Sequence, residues 1–91
     1  MHQSRIMGIM VYDRIKEAGK TQEVLSKYSQ IILTRLGFHE LSRDVCSRVG
    51  TILLVLQGKP EVWDKLQAEL EEIGGVEVQI MKFRNLVDAA G

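Results

Sequence analysis

Cysteine is almost missing from this chain. Cys46 stands alone, so no internal disulfide can form and nothing implies an oxidising compartment. No charge of either sign prevails: 12 Lys+Arg face 12 Asp+Glu, with a pI near 6.7. Nucleic-acid-binding modules carry a basic patch or stripe, whereas the signs here alternate along the chain. The one local cluster, Arg35, Arg43 and Arg48, reads as a solvated edge. Long hydrophobic runs are missing too. The apolar stretch near the N-terminus spans about six residues, too short for a signal peptide, and no run nears the ~20 that a membrane span needs. The expected location is cytoplasmic.

Catalytic patterns are equally scarce. There is no Ser-His-Asp ordering, no paired-carboxylate motif and no His-rich metal spacing. The expectation is a non-enzyme, with a small ferredoxin-like enzyme as one alternative. An acylphosphatase would need an Arg in an anion-cradling first loop and a nearby Asn. Arg14 has no Gly-rich loop around it, and the only Asn is Asn85.

What is present, in 91 residues that are 45% hydrophobic and 26% charged, is one domain with one modest core. Its expected core is about 5–83, with 84–91 as a frayed C-terminal tail. Ile6 to Tyr12 is a near-continuous apolar run that suits a central strand, although Gly8 weakens it unless something packs close. Asp13 can cap a helix over Arg14 to Tyr28, with Ile15, Ala18, Val24, Leu25 and Tyr28 as its inward stripe. Residues 29–36 are ambiguous: the apolar spacing could extend the helix to a stop at Gly37, while Ile31, Ile32 and Thr34 favour a strand. Ser42 to Arg48 reads as a connection, and Thr51 to Gln57 as the strongest strand. Pro60 opens a second helix carrying Val62, Trp63, Leu66, Leu70 and Ile73. Gly74-Gly75 should end it in left-handed conformations, and Val76, Val78 and Ile80 then alternate with Glu77 and Gln79 as a half-exposed strand. Trp63 is expected in the core or an interface, and Met7, Met10 and Met81 as fillers of the core.

The order is β-α-β-β-α-β. It predicts an α+β, ferredoxin-like fold: a four-stranded antiparallel sheet with two helices on one face. The other face then lies bare, so a homo-oligomer is expected, a dimer or tetramer joined through the open face or the strand edges.

Several motifs, in order, resemble a known family from Arg5 to Lys82. They are Arg5-Ile6-x-Gly8-Ile9-x-Val11 followed by Asp13-Arg14, then Arg35-x-Gly37-Phe38, then Ile52 to Leu56, and last Leu70-x-x-Ile73-x-Gly75-Val76-x-Val78. The chain resembles the iron-only hydrogenase system regulators. Leu56-Gln57-Gly58 and the closing Gly-Val strand are also similar to the C-terminal sensing domain of nickel-responsive repressors. The resemblance implies an ACT-like domain acting as a non-enzymatic sensor or interaction module, and it leaves the effector or cofactor unknown. Effectors of ACT-like oligomers sit between subunits near the first strand–helix connection, which maps to Tyr12, Asp13 and Arg14, with Arg35 as a charged contact. A protein partner is the other expected occupant, through which any regulation of DNA would run.

The nickel repressor site implies a second alternative, a metal sensor. His39 can be placed on one of that site's histidine positions, and Cys46 lies close to its cysteine position. The remaining histidines have no counterpart, since His2 is the only other one. Two such ligands need Asp44 or a second subunit to complete a site. Two departures from the family pattern fall in this same stretch: His39 follows the Gly-aromatic pair where Pro is frequent, and the connection containing Cys46 is a few residues longer.

Overall fold

In the computed structural model the described residues are 4–41 and 46–83, without the side chains of 14, 38–41 and 46–48. They form β1 (Arg5–Val11), α1 (Arg14–Lys27), a 3-10 turn (Ser29–Ile31), β2 (Ile32–Leu41), β3 (Cys46–Leu56), α2 (Pro60–Glu71) and β4 (Val76–Lys82). The strands make one antiparallel sheet in the order β2-β3-β1-β4. This is the ferredoxin-like α+β arrangement. The apolar run of β1 fits its central place between β3 and β4.

The ambiguous stretch resolves as strand. The α1 helix stops at Lys27, and the Tyr28 N–H bonds back to the carbonyls of Val24 and Leu25. A single 3-10 turn then feeds Ile32 into β2. Helical spacing in this stretch loses to β-branched residues that gain a ladder on β3. The expected connection at Ser42 to Arg48 is shorter than the sequence suggests, because Cys46, Ser47 and Arg48 already belong to β3. Polar composition does not exclude a strand that runs beyond its own sheet. β1 pairs with β3 only from Gly50 to Leu56, so the β2–β3 hairpin projects as a two-stranded ribbon past the end of β1. The tail 84–91 lies outside the described residues.

The core fills the space between the helices and one sheet face. Met7, Ile9 and Val11 of β1, Ile52, Leu54 and Leu56 of β3, and Val78 of β4 meet Leu25 of α1 and Trp63, Leu66 and Leu70 of α2. The α2 stripe is as expected. The α1 stripe holds for Leu25, which is buried, and for Val24 and Tyr28, which pack against the core, but Ile15 is exposed and Glu17 and Thr21 are buried in its place. At 100° per residue, Ile15 lies about 120° around the helix from Thr21. Thr21 satisfies its buried hydroxyl on the Glu17 carbonyl, 3.0 Å away, and the Glu17 stem lies against Gly75. Of the glycine pair after α2, only Gly75 is left-handed, with φ +78°.

Alternation sends the other residues of each strand to the opposite, uncovered face. Direct partners in an antiparallel ladder project on the same side, so Leu36, Leu53, Gly8 and Gln79 share that face, as do Thr34, Val55, Ile6 and Met81. Met10 and Met81 are therefore not core fillers: Met81 is exposed and half-buried Met10 sits over Thr51, its sulfur 3.3 Å from the hydroxyl. Met7 alone of the three is in the core. A Cβ on Gly8 would meet Leu53 at 3.7 Å and the Gln79 carbonyl at 3.9 Å, ordinary contacts. Gly8→Ala is therefore expected to stabilise the fold by about 0.5–1 kcal/mol, by restricting the unfolded chain and improving strand propensity. A urea titration at fixed protein concentration checks this.

An exposed cluster joins the helices: Glu69 of α2 accepts from Lys27 Nζ at 2.8 Å and from the Tyr28 hydroxyl. The bonds from Lys27 and then Tyr28 hold the Glu69 carboxyl below its usual range. The bond to Glu69 in turn raises both Lys27 and Tyr28. A depressed carboxylate contributes stability that is present above its unfolded value, about 4.3, and lost as pH falls through the folded one. Raised Lys and Tyr groups contribute below their unfolded values, near 10, and lose it as pH climbs further. The melting temperature is thus expected to hold a plateau from about pH 5 to 9 and fall on both sides. Glu69→Gln is expected to flatten part of both limbs in a pH series of thermal melts.

Candidate functional site

The turn after β1 is held by one local bond and one from a distant segment. The Asp13 side chain accepts from the Lys16 N–H at 3.2 Å and caps α1, while the Tyr12 N–H reaches the Gly75 carbonyl at 2.9 Å. Alternation from Met10 carries Tyr12 onto the uncovered sheet face. There its hydroxyl donates to Glu77 of β4, and the Gln79 amide donates to the other Glu77 oxygen at 2.9 Å. These bonds keep Glu77 ionised, its carboxyl lowered chiefly by the bond from Tyr12, and keep Tyr12 protonated, its hydroxyl raised chiefly by the same bond. The result is a polar corner of one hydroxyl, one carboxylate and one amide beside an otherwise apolar sheet face.

Among the residues assigned to an effector, Tyr12, Asp13 and Arg14 are consecutive at this turn, and Asp13 takes the capping role. The Arg14 side chain is outside the described residues. Arg35 is elsewhere within the chain. It pairs with Leu54, whose β1 partner is Met7, five residues before Tyr12. Strand spacings put it about 17 Å along the sheet and about 10 Å across from the turn. It is exposed on edge strand β2 and bonds Gln22 of α1, which puts it on the helix side. One subunit does not bring Arg35 to Tyr12.

His39 and Cys46 fall on the ribbon. His39 is backbone partner to Gly50, and Cys46 to Leu41, with an irregularity between. Gly50 also pairs with Val11, so His39 is about two strand spacings, roughly 10 Å, from the end of β1. The backbone therefore places both metal candidates and the Tyr12 turn at one end of the sheet. Their side chains, and Asp44, are outside the described residues. Among the described residues no group of three His, Cys, Asp or Glu could hold a metal ion.

Two groupings escaped the sequence. Glu77 and Gln79 were legible as the polar side of β4, but only the β1–β4 register sets them beside Tyr12. Arg5 is the other. It lies on the helix side, with its guanidinium 5.0 Å from the Trp63 ring centre and 2.9 Å from Asp64. No spacing signal announces a buried arginine at a strand start.

The TM1266-like family, described as "Iron-only hydrogenase system regulator, putative", matches residues 3–80. The chain belongs to this family. A solved member-like structure is the uncharacterized protein TM1266 of Thermotoga maritima. It is 28% identical, aligned over 92% of this chain and 100% of that one, with a TM-score of 0.79. No curated protein matches the sequence. The family's description is that of a regulator, and the solved structure shares the fold described above. No helix among the described residues is long and apolar enough to cross a membrane.

Proposed function

We propose that this regulator-family chain is a non-enzymatic, cytoplasmic sensing module that binds a small effector at the β1 end of its sheet and works as an oligomer. The observation that carries this reading is the convergence of Tyr12, Glu77 and Gln79 on an open sheet face beside the Asp13-Arg14 turn. An ionised carboxylate already holding two donors favours an effector that offers N–H or O–H groups in their place. Binding would bias one assembly over another, which is how a site between subunits transmits a signal. Native mass spectrometry of protein purified without chelator tests this. The expected result is a discrete oligomer carrying extra mass that Glu77→Gln loses. A bare chain whose melting is unmoved by a panel of amino acids and nucleotides overturns it.

A second reading is a metal sensor on the ribbon, favoured by the backbone placing His39 and Cys46 on its two adjacent strands. Nickel equilibrium dialysis decides it: affinity unchanged in Cys46→Ser ends the metal reading.

A further inference from the structure

The uncovered sheet face has a composition that limits what can cover it. Its described side chains are Thr34 and Leu36 of β2, Thr51, Leu53 and Val55 of β3, Ile6 and Met10 of β1, and Glu77, Gln79 and Met81 of β4. Leu36 is 56% exposed, Leu53 40% and Met81 59%. Only Glu77 carries charge, and it stands on the edge strand with its two oxygens already bonded. Leu53 leans over the bare backbone of Gly8, which levels the middle of the face.

We propose that a second copy of this chain covers this face, the two sheets packing as a sandwich. The regulatory reading is the frame for this proposal, which names the partner in its assembly. A face that meets its own copy in a two-fold contact must tolerate its own charges. Among its described side chains the centre is neutral and apolar, and the one carboxylate stands at the rim. A partner chosen by charge would find nothing there to read.

The size is also suitable. Four strands at about 4.8 Å and seven residues at about 3.3 Å give a flat footprint of about 440 Å². The ten-residue β2 and eleven-residue β3 extend it at the ribbon end. Side chains standing off the sheet raise the accessible area above this footprint, to the order of the 600–800 Å² per partner found in stable complexes. Two such faces would pack about 10 Å apart with strands aligned within about 30°. Tyr12, Glu77 and Gln79 would then line the rim of the contact, where an effector could touch both copies.

Sedimentation velocity at tens of micromolar tests the proposal, on wild type, Leu53→Glu and Met81→Glu. The expected result is a wild-type dimer, or a larger even-numbered assembly. Each variant should dissociate at least about 100-fold more readily, because a carboxylate would be buried without a partner. Trp63 lies in the core on the opposite side of the sheet, so its fluorescence should report an unchanged fold in both variants. Should a glutamate unfold the chain, Leu53→Thr keeps a strand-forming residue and is expected to weaken association about tenfold. A monomeric wild type overturns the proposal, as does association that survives folded Leu53→Glu and Met81→Glu, which would point to edge pairing by β2. A monomer that still binds effector sinks the sandwich and leaves the regulatory reading standing. A sandwich dimer that binds nothing does the reverse.

Discussion

Leu54→Ala is expected to destabilise the domain by about 2–5 kcal/mol, lowering its melting temperature by tens of degrees or leaving it unfolded at 37 °C. Leu54 is fully buried in the middle of β3, between Met7 on one side and Arg35 on the other. Truncation removes its transfer energy and leaves a cavity against two helices that cannot both move inward. A domain of this size has a total stability on the order of 5–10 kcal/mol, so one side chain is a large fraction of it. The neighbouring substitution Leu53→Ala supplies the contrast. Leu53 faces away from the helices and is 40% exposed, so its loss should cost the isolated fold under about 1 kcal/mol. Urea titrations at one protein concentration, dilute enough to suppress association, compare the pair. Equal effects of the two substitutions would mean that the sheet faces are misassigned.

Trp63→Ala is expected to be at least as damaging, at about 3–5 kcal/mol. Its ring is buried in the core, and its indole N–H donates to the Gln57 carbonyl at 2.8 Å. It also forms one wall for the Arg5 guanidinium, whose Nε is buried without a hydrogen-bond partner. Removing the ring thus opens a cavity, orphans a carbonyl and uncovers a buried charge held otherwise by Asp64 alone. Trp63→Phe keeps most of the volume and should cost about 1–3 kcal/mol, chiefly for the lost donor and the weaker cation–π contact. In the wild type, Trp63 emission should be blue-shifted in the native state and red-shift on unfolding, since it is the only tryptophan. Calorimetry of the three proteins checks the ranking.

Much of this fold is legible in the residues because local and global preferences agree. Trp63, Leu66 and Leu70 repeat at the spacing of the helix they form, and Val76, Val78 and Ile80 at that of their strand. The family match and the fold likewise follow motifs that double as folding signals. Where the reading falters, tertiary contacts outvote local pattern. Ile15 is apolar and helical but lies on the wrong side of α1, and Glu17 takes the buried place because its stem covers Gly75. Cys46, Ser47 and Arg48 look like a loop and become strand, since a hairpin ladder needs backbone partners before it needs apolar side chains. The candidate site was half legible. Tyr12 and Asp13 stand at the expected turn, but Glu77 and Gln79 reach it from 65 and 67 residues away in sequence, through a register that no short pattern encodes.

The strand order has a consequence for how the chain is made. β1 is made before either of its neighbours in the sheet, β3, ending at Leu56, and β4, ending at Lys82. Its last partner strand begins about seventy residues after its own start, which at about 5–20 residues per second is a delay of several seconds. Throughout that interval Met7, Ile9 and Val11 have no complete pairing surface. A central, apolar strand of the sheet is thus the one that must wait longest, and nascent-chain holding factors would find their natural target there.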